Sequence, residues 1–184
     1  MKTVCLVAIG AVPEQVLEWV ESAATEWCPW PVRRLPGRSL PEGAFDAKRG
    51  QYQSVEIMKA VASCRPEDAE RILGVTEVDL AIPTLTFVYG QAQLDGPAAV
   101  ISLCRLRQEF YGLPADESLL HERVTKEVLH ELGHTFGLTH CAETKCAMSL
   151  ATHIGLVDNK EERYCARCGR QLVKKFTSPD GESL

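Results

Sequence analysis

"HELGHTFGLTHC", residues 130 to 141, holds three of the chain's five histidines and one of its eight cysteines. On a helix, residues four apart share a face with Cβ atoms about 6 Å apart, so His130 and His134 can grip one ion from one side. Glu131 sits at the rim of that face and can reach a metal-bound water without entering the coordination sphere. A straight continuation would carry His140 away. Gly137 tolerates the left-handed conformation that ends a helix, so the chain can turn and fold His140 back onto the same ion. Three neutral imidazoles leave one position of a zinc ion open, and water bound there ionises near neutral pH. Glu131 would take that water's proton as it attacks a carbonyl and hand it to the leaving amine, while the metal polarises the carbonyl. The spacing therefore predicts a catalytic metal site.

Cys141, directly after His140, raises the question whether it closes that site as a fourth ligand. The cysteines downstream answer it. Cys141 and Cys146 form C-x4-C, and Cys165 and Cys168 form C-x2-C. Two close pairs separated by a loop make a tetrahedral four-thiolate zinc site, which has no open position and is structural. Cys141 is then the first ligand of a second zinc. A redox C-x-x-C is the poorer reading, because "CARC" follows no βαβ signal. Two disulfides are disfavoured in a reducing compartment. Cys5, Cys28, Cys64 and Cys104 lack paired spacing and read as plain thiols.

Other residues near the motif carry weaker expectations. Glu127 shares the histidine face one turn earlier and can orient an imidazole, or it can pair on the surface with Arg123 or Lys126. Met148 either fills the core or forms a soft platform beneath the histidines. His121 lies about 180° around the helix and should face away. His153 and Tyr164 are candidates for stabilising an oxyanion, although a plain loop histidine is the simpler reading of His153.

Working outward, the helix carrying the motif should run from Ser118 to Leu138, capped by Asp116 or Ser118. Residues 3–9 read as a strand covered on both faces. Lys2 and that apolar run could imitate a signal peptide, but the amphipathic stretch after Pro13 favours a strand followed by a helix. Residues 28–45 are proline-punctuated and should be looped, with Arg33, Arg34 and Arg38 on a solvated face. "QYQSVEIMKAVASC", residues 51–64, reads as a helix burying Val55, Met58 and Val61, and "PEDAERIL", residues 66–73, as a second short one. "DLAIPTLTFVYGQAQ" and "AAVISLCRL" read as strands joined by the turn "LDGP", with Pro83 at an edge or a strand start. Residues 176–184 should be a frayed tail.

The composition, 45% hydrophobic and 24% charged over 184 residues, is that of an ordinary globular domain. The net charge of −5 and pI near 5.6 argue against a nucleic-acid partner. Only "RYCARCGRQLVKK" is locally basic. No apolar run approaches the roughly 20 residues that cross a bilayer.

"HELGHTFGLTHCAETKCAM" followed by "CARC" resembles the metzincin clan of zinc peptidases, and more closely the archaemetzincins. "AFDAKRGQY" and "LTFVYGQA" are similar to family segments as well. The resemblance implies an α/β (α+β) metzincin-like core: a twisted, mainly parallel sheet with an antiparallel edge strand, a long zinc-binding helix and a small C-terminal zinc knuckle. It implies a single catalytic domain over residues 1–184, in which an upper region (residues 1–140) is followed by a cysteine-stapled region (residues 141–175). It also implies that His130, His134 and His140 bind catalytic zinc, that Glu131 is the general base, that Gly137 and Met148 support the site, and that Cys141, Cys146, Cys165 and Cys168 bind structural zinc, two Zn2+ in all. The gap from Met148 to Cys165 is about one residue shorter than the family pattern, a loop difference. The expectation is a cytoplasmic, monomeric metallopeptidase without a secretion signal or propeptide. It should act on peptides or unfolded segments, with no membrane or nucleic-acid partner. The alternative is an inactive zinc-containing module that binds peptides or proteins.

Overall fold

The computed structural model describes residues 2–177. Its first strand, β1 (Thr3–Ala8), buries Val4, Cys5, Leu6 and Val7, as an apolar run without alternation must when both faces are covered. Helix α1 (Glu14–Trp27) follows directly after Pro13. Next come β2 (Val32–Arg34), β3 (Phe45–Asp46), β4 (Gln51–Gln53) and α2 (Ser54–Ser63). The chain then lays down β5 (Ala69–Thr76), β6 (Leu80–Ile82), β7 (Leu85–Val88), β8 (Gly90–Ala92) and β9 (Ala98–Ser102). The last elements are α3 (Glu117–Thr135), α4 (Ile154–Asn159) and α5 (Ala166–Thr177).

The main sheet has the order β2-β1-β5-β9-β8. The first four strands run parallel and β8 pairs antiparallel with β9 at the edge, so the mixed sheet expected from the resemblance is present. A smaller sheet, β3-β4-β6-β7, stands beside it and carries the chain directly into β8. One apolar cluster joins β1, β5 and β9 to α1, α3 and the segment after residue 141. A second lies on the opposite face beneath α2.

The local reading needs four corrections. Residues 66–73 do not form a helix. Their second half belongs to β5, between β1 and β9, with Ala69, Ile72, Leu73 and Val75 buried. The acidic lead "PEDAE" suits a helix start, but burial on both sheet faces outweighs local propensity. Gly74 lets α2 close onto this strand, since a Cβ there would lie 2.3 Å from Val61 Cγ2. Second, Gln51–Gln53 is strand, so α2 begins at Ser54, and Val55 is exposed while Ile57, Met58 and Val61 are buried. Third, the looped stretch 28–45 contains β2, where Arg34 pairs with Glu14 and Glu21 of α1 and Arg33 with Asp68. Fourth, α5 runs through Thr177, so Phe176 and Thr177 are helical; the rest of the expected tail, 178–184, lies outside the described residues. Pro83 sits between β6 and β7, where its missing N–H costs the ladder nothing.

Candidate active site

Helix α3 starts at Asp116, whose side chain accepts the backbone N–H of Leu119 at 2.9 Å. It ends at Thr135 in a Schellman turn. Leu138 N–H donates to Gly133 O at 3.0 Å and Gly137 N–H to His134 O at 2.9 Å, with Gly137 at φ +86°. This reversal brings His140 back, as the glycine suggested. The ring centroids of His130, His134 and His140 lie 4.6, 5.4 and 5.0 Å apart.

Second hydrogen bonds fix which nitrogen each helical histidine offers. His130 Nδ1–H donates to Ala147 O at 2.8 Å and His134 Nδ1–H to Leu138 O at 2.7 Å. A carbonyl only accepts, so Nδ1 carries the proton and the Nε2 lone pair is free. The two Nε2 atoms face each other at 3.2 Å. Ligands at about 2.0 Å from a tetrahedral zinc stand about 3.3 Å apart, so the donors fit that ion. Burial pushes the pKa of all three imidazoles below the ordinary 6.5, His130 furthest, and Lys160 adds to the effect. Neutral imidazole is the form that binds metal.

Glu131 is buried beside this cluster, and burial, followed by the Glu127 charge, pushes its carboxyl well above the ordinary 4.5. Edge strand β8 approaches it closely at Gly90, where a Cβ would lie 2.6 Å from Glu131 Cγ and Oε1. Below the helix, Met148 is fully buried, and its sulfur would lie 2.4 Å from a Cβ on Gly133. The thioether thus packs against the turn carrying His134.

The cysteine group stands apart from the histidines. Cys141, Cys146, Cys165 and Cys168 place their sulfurs within 4.8 Å of one another. Cys141 Sγ and Cys165 Sγ are 3.8 Å apart, close to the roughly 3.8 Å edge of a zinc–thiolate tetrahedron and far beyond a disulfide. Donors collect on the sulfurs: Glu143 N and an Arg167 nitrogen on Cys141, and Cys165 N on Cys146. Thiolates welcome such donors. The side chains of the neighbours His140 and Cys141 join different clusters.

Several weaker expectations resolve differently. Glu127 pairs with neither Arg123 nor Lys126. Arg123 is bidentate to Asp158 and Lys126 reaches Glu122 and Asp158 O. Glu127 instead pairs with Lys160, Nζ to Oε1 at 3.1 Å, with both side chains buried. The Tyr164 hydroxyl donates to Leu129 O at 2.6 Å inside the core, so it holds helix α3 and does not face substrate. His153 is exposed and outside the residues that line the cleft. His121 is exposed and stacks on Trp19 at 4.8 Å.

The histidines open into a cleft of about 570 Å3. One wall is β7 and β8; the other is the segment 150–152 that follows Met148. Sequence reasoning missed Gly90, Gly133, Tyr89 and Lys160. A glycine within a strand or a helix already signals close approach, whereas nothing local marks Lys160.

Comparison with known proteins decides the family. The profile of peptidase family M54 matches residues 32–174. The chain belongs to peptidase family M54. Its M54 relatives include the archaemetzincin of Methanocaldococcus jannaschii, 40% identical over 172 residues and 92% of each chain. The archaemetzincin of Pyrococcus abyssi is 38% identical over 183 residues, 96% of this chain and 97% of that one. The archaemetzincin structure from Methanopyrus kandleri superposes with a TM-score of 0.84 at 37% identity, covering 96% of both chains. The one from Archaeoglobus fulgidus, complexed with malonate, gives 0.79 at 31% identity, covering 93% of this chain and 99% of that one. Like its M54 relatives, the chain is a zinc metallopeptidase.

Proposed function

We propose that the chain hydrolyses peptide bonds with Glu131 as general base, His130, His134 and His140 holding a catalytic zinc, and Cys141, Cys146, Cys165 and Cys168 holding a structural one. The observation that carries the reading is the convergence of imidazoles whose Nδ1 protons are committed to backbone carbonyls, leaving Nε2 donors with no other task. Zinc at the histidines supplies a Lewis acid that polarises a carbonyl and acidifies water.

The chain's own residues do the rest. Glu131, desolvated by burial, holds its carboxyl at raised basicity, suited to taking a proton from water and returning it to the departing amine. Gly90 leaves room for that carboxylate against β8. Strand β8 is the last of its sheet and lines the cleft, so an extended peptide can add beside it by backbone hydrogen bonds. That mode requires an unfolded segment. Eight cysteines without a disulfide, four of them gathered as metal ligands, accord with a reducing, cytoplasmic setting. No helix among the described residues is long and apolar enough to cross a membrane.

The test is a digest of a diverse peptide library at neutral pH, read by mass spectrometry, with zinc-loaded wild type and Glu131→Ala. New termini with wild type alone support the reading. Equal digests from two proteins with equal zinc content contradict it.

A further inference from the structure

The cleft ends in buried polar groups that the hydrolysis proposed above does not use. Leu85, Leu94 and Leu150 at its rim are 52%, 59% and 56% exposed, whereas Tyr89, Glu127 and Lys160, which also line it, are 5%, 2% and 3% exposed. Lys160 Nζ stands 3.1 Å from Glu127 Oε1 and 3.4 Å from Nδ1 of His130, while Nε2 of His130 faces His134. The ion pair therefore lies across the imidazole from the converging donors, an imidazole's width deeper than the reacting centre. Ala147 already takes the His130 Nδ1 proton, so that nitrogen offers Lys160 no acceptor, and Glu127 meets one of the ammonium's three hydrogens. The Tyr89 hydroxyl is buried beside the Tyr111 side chain, which lies outside the cleft lining, so Lys160 is the group at this end with hydrogens left to donate. Buried polar groups are almost always satisfied, so an unmet one calls for a ligand or a water.

We propose that this inner end is the selecting pocket of the peptidase and accepts, from a residue next to the scissile bond, a long side chain with a neutral hydrogen-bonding tip, glutamine before tyrosine. The proposal rests on the peptidase reading. Phe87, Leu150 and Ala151 suit an apolar stem. The tip meets two opposite charges already paired. A glutamate would set a second carboxylate against Glu127, and a lysine a second ammonium against Lys160, both in a site where low dielectric magnifies repulsion. A carboxamide avoids both: its oxygen accepts from Lys160 and its NH2 donates to Glu127. Leucine or phenylalanine would fill the stem space but leave the polar groups unmet.

The probe is a set of short peptides capped with an N-terminal hydroxamate, which fixes the register at the zinc, varied only at the first side chain. Binding is measured by calorimetry to the zinc-loaded chain, so no cleavage is needed. Glutamine should bind about tenfold tighter than leucine or glutamate. Glu127→Gln alone should reduce that advantage about threefold with leucine unchanged, and combined with Lys160→Met should reverse it in favour of leucine. Zinc content and melting temperature establish that each variant is folded. Tightest binding by leucine, phenylalanine, glutamate or lysine, or a preference the variants leave unmoved, overturns the pocket while leaving the peptidase standing. If no hydroxamate binds a fully zinc-loaded chain, both fall.

Discussion

Lys160→Met tests the buried core of the site in a way that needs no substrate. The ammonium and the Glu127 carboxylate have side-chain exposures of 1% and 3% and stand 3.1 Å apart. Removing the lysine leaves Glu127 in the interior, one helical turn before Glu131 and without the ion-pair partner it has among the described residues. Breaking a buried pair on one side costs about 3–5 kcal/mol. A domain of this size loses about 2–4 °C of melting temperature per kcal/mol, so a drop of about 10 °C is expected. Replacing both partners, Glu127→Gln with Lys160→Met, removes the stranded charge and should return the protein to within about 1 kcal/mol of wild type. Urea unfolding of wild type, both single variants and the double variant, all zinc-loaded, completes the cycle. A double variant as unstable as Lys160→Met, or a single variant within about 1 kcal/mol of wild type, refutes the reasoning.

Further expectations follow from the glycines and the histidines. Gly133→Ala drives a Cβ to 2.4 Å from Met148 Sδ. Overpacking of about 1–3 kcal/mol should exceed the roughly 1 kcal/mol helix-propensity gain, which a denaturation midpoint reads. Gly137→Ala, at φ +86°, should cost about 1–2 kcal/mol and weaken zinc binding at the histidines while sparing the cysteine site, measurable by competitive chelation. Gly90→Ala displaces Glu131, 2.6 Å from the new Cβ, and should lower kcat about 100-fold with zinc content unchanged. The metal-free chain should lose stability as pH falls below 6.5. There the unfolded histidines take up protons that the folded ones, with lowered pKa values, resist. Glu131, raised above 4.5, acts in the opposite sense, one group against three. Thermal melts between pH 4 and 8 check the sign.

The features of the site legible in the sequence are those written in short-range spacing. His130, Glu131 and His134 sit within one helical turn or so, Gly137 announces the reversal that returns His140, and the cysteine pairs carry their own separation. The mixed sheet followed from the resemblance. What escaped depends on contacts distant in sequence. Lys160 reaches Glu127 from 33 residues away, and no local pattern marks it. The strand Ala69–Thr76 was hidden because its acidic lead imitates a helix start, while its burial comes from neighbours on either side. Tyr164 was a candidate for stabilising an oxyanion, but its hydroxyl bonds to a carbonyl of α3.

The two-metal reading turns on adjacent residues, His140 and Cys141, serving different ions. Zinc per chain, measured by elemental analysis on wild type, His134→Ala and Cys165→Ser, tests this most directly. Two are expected for wild type and one for His134→Ala, whose remaining zinc survives a chelator that strips the histidine site. Cys165→Ser should lose the chelator-resistant ion. A single zinc in wild type, lost in both variants, would contradict this and make Cys141 a ligand of one shared, closed site.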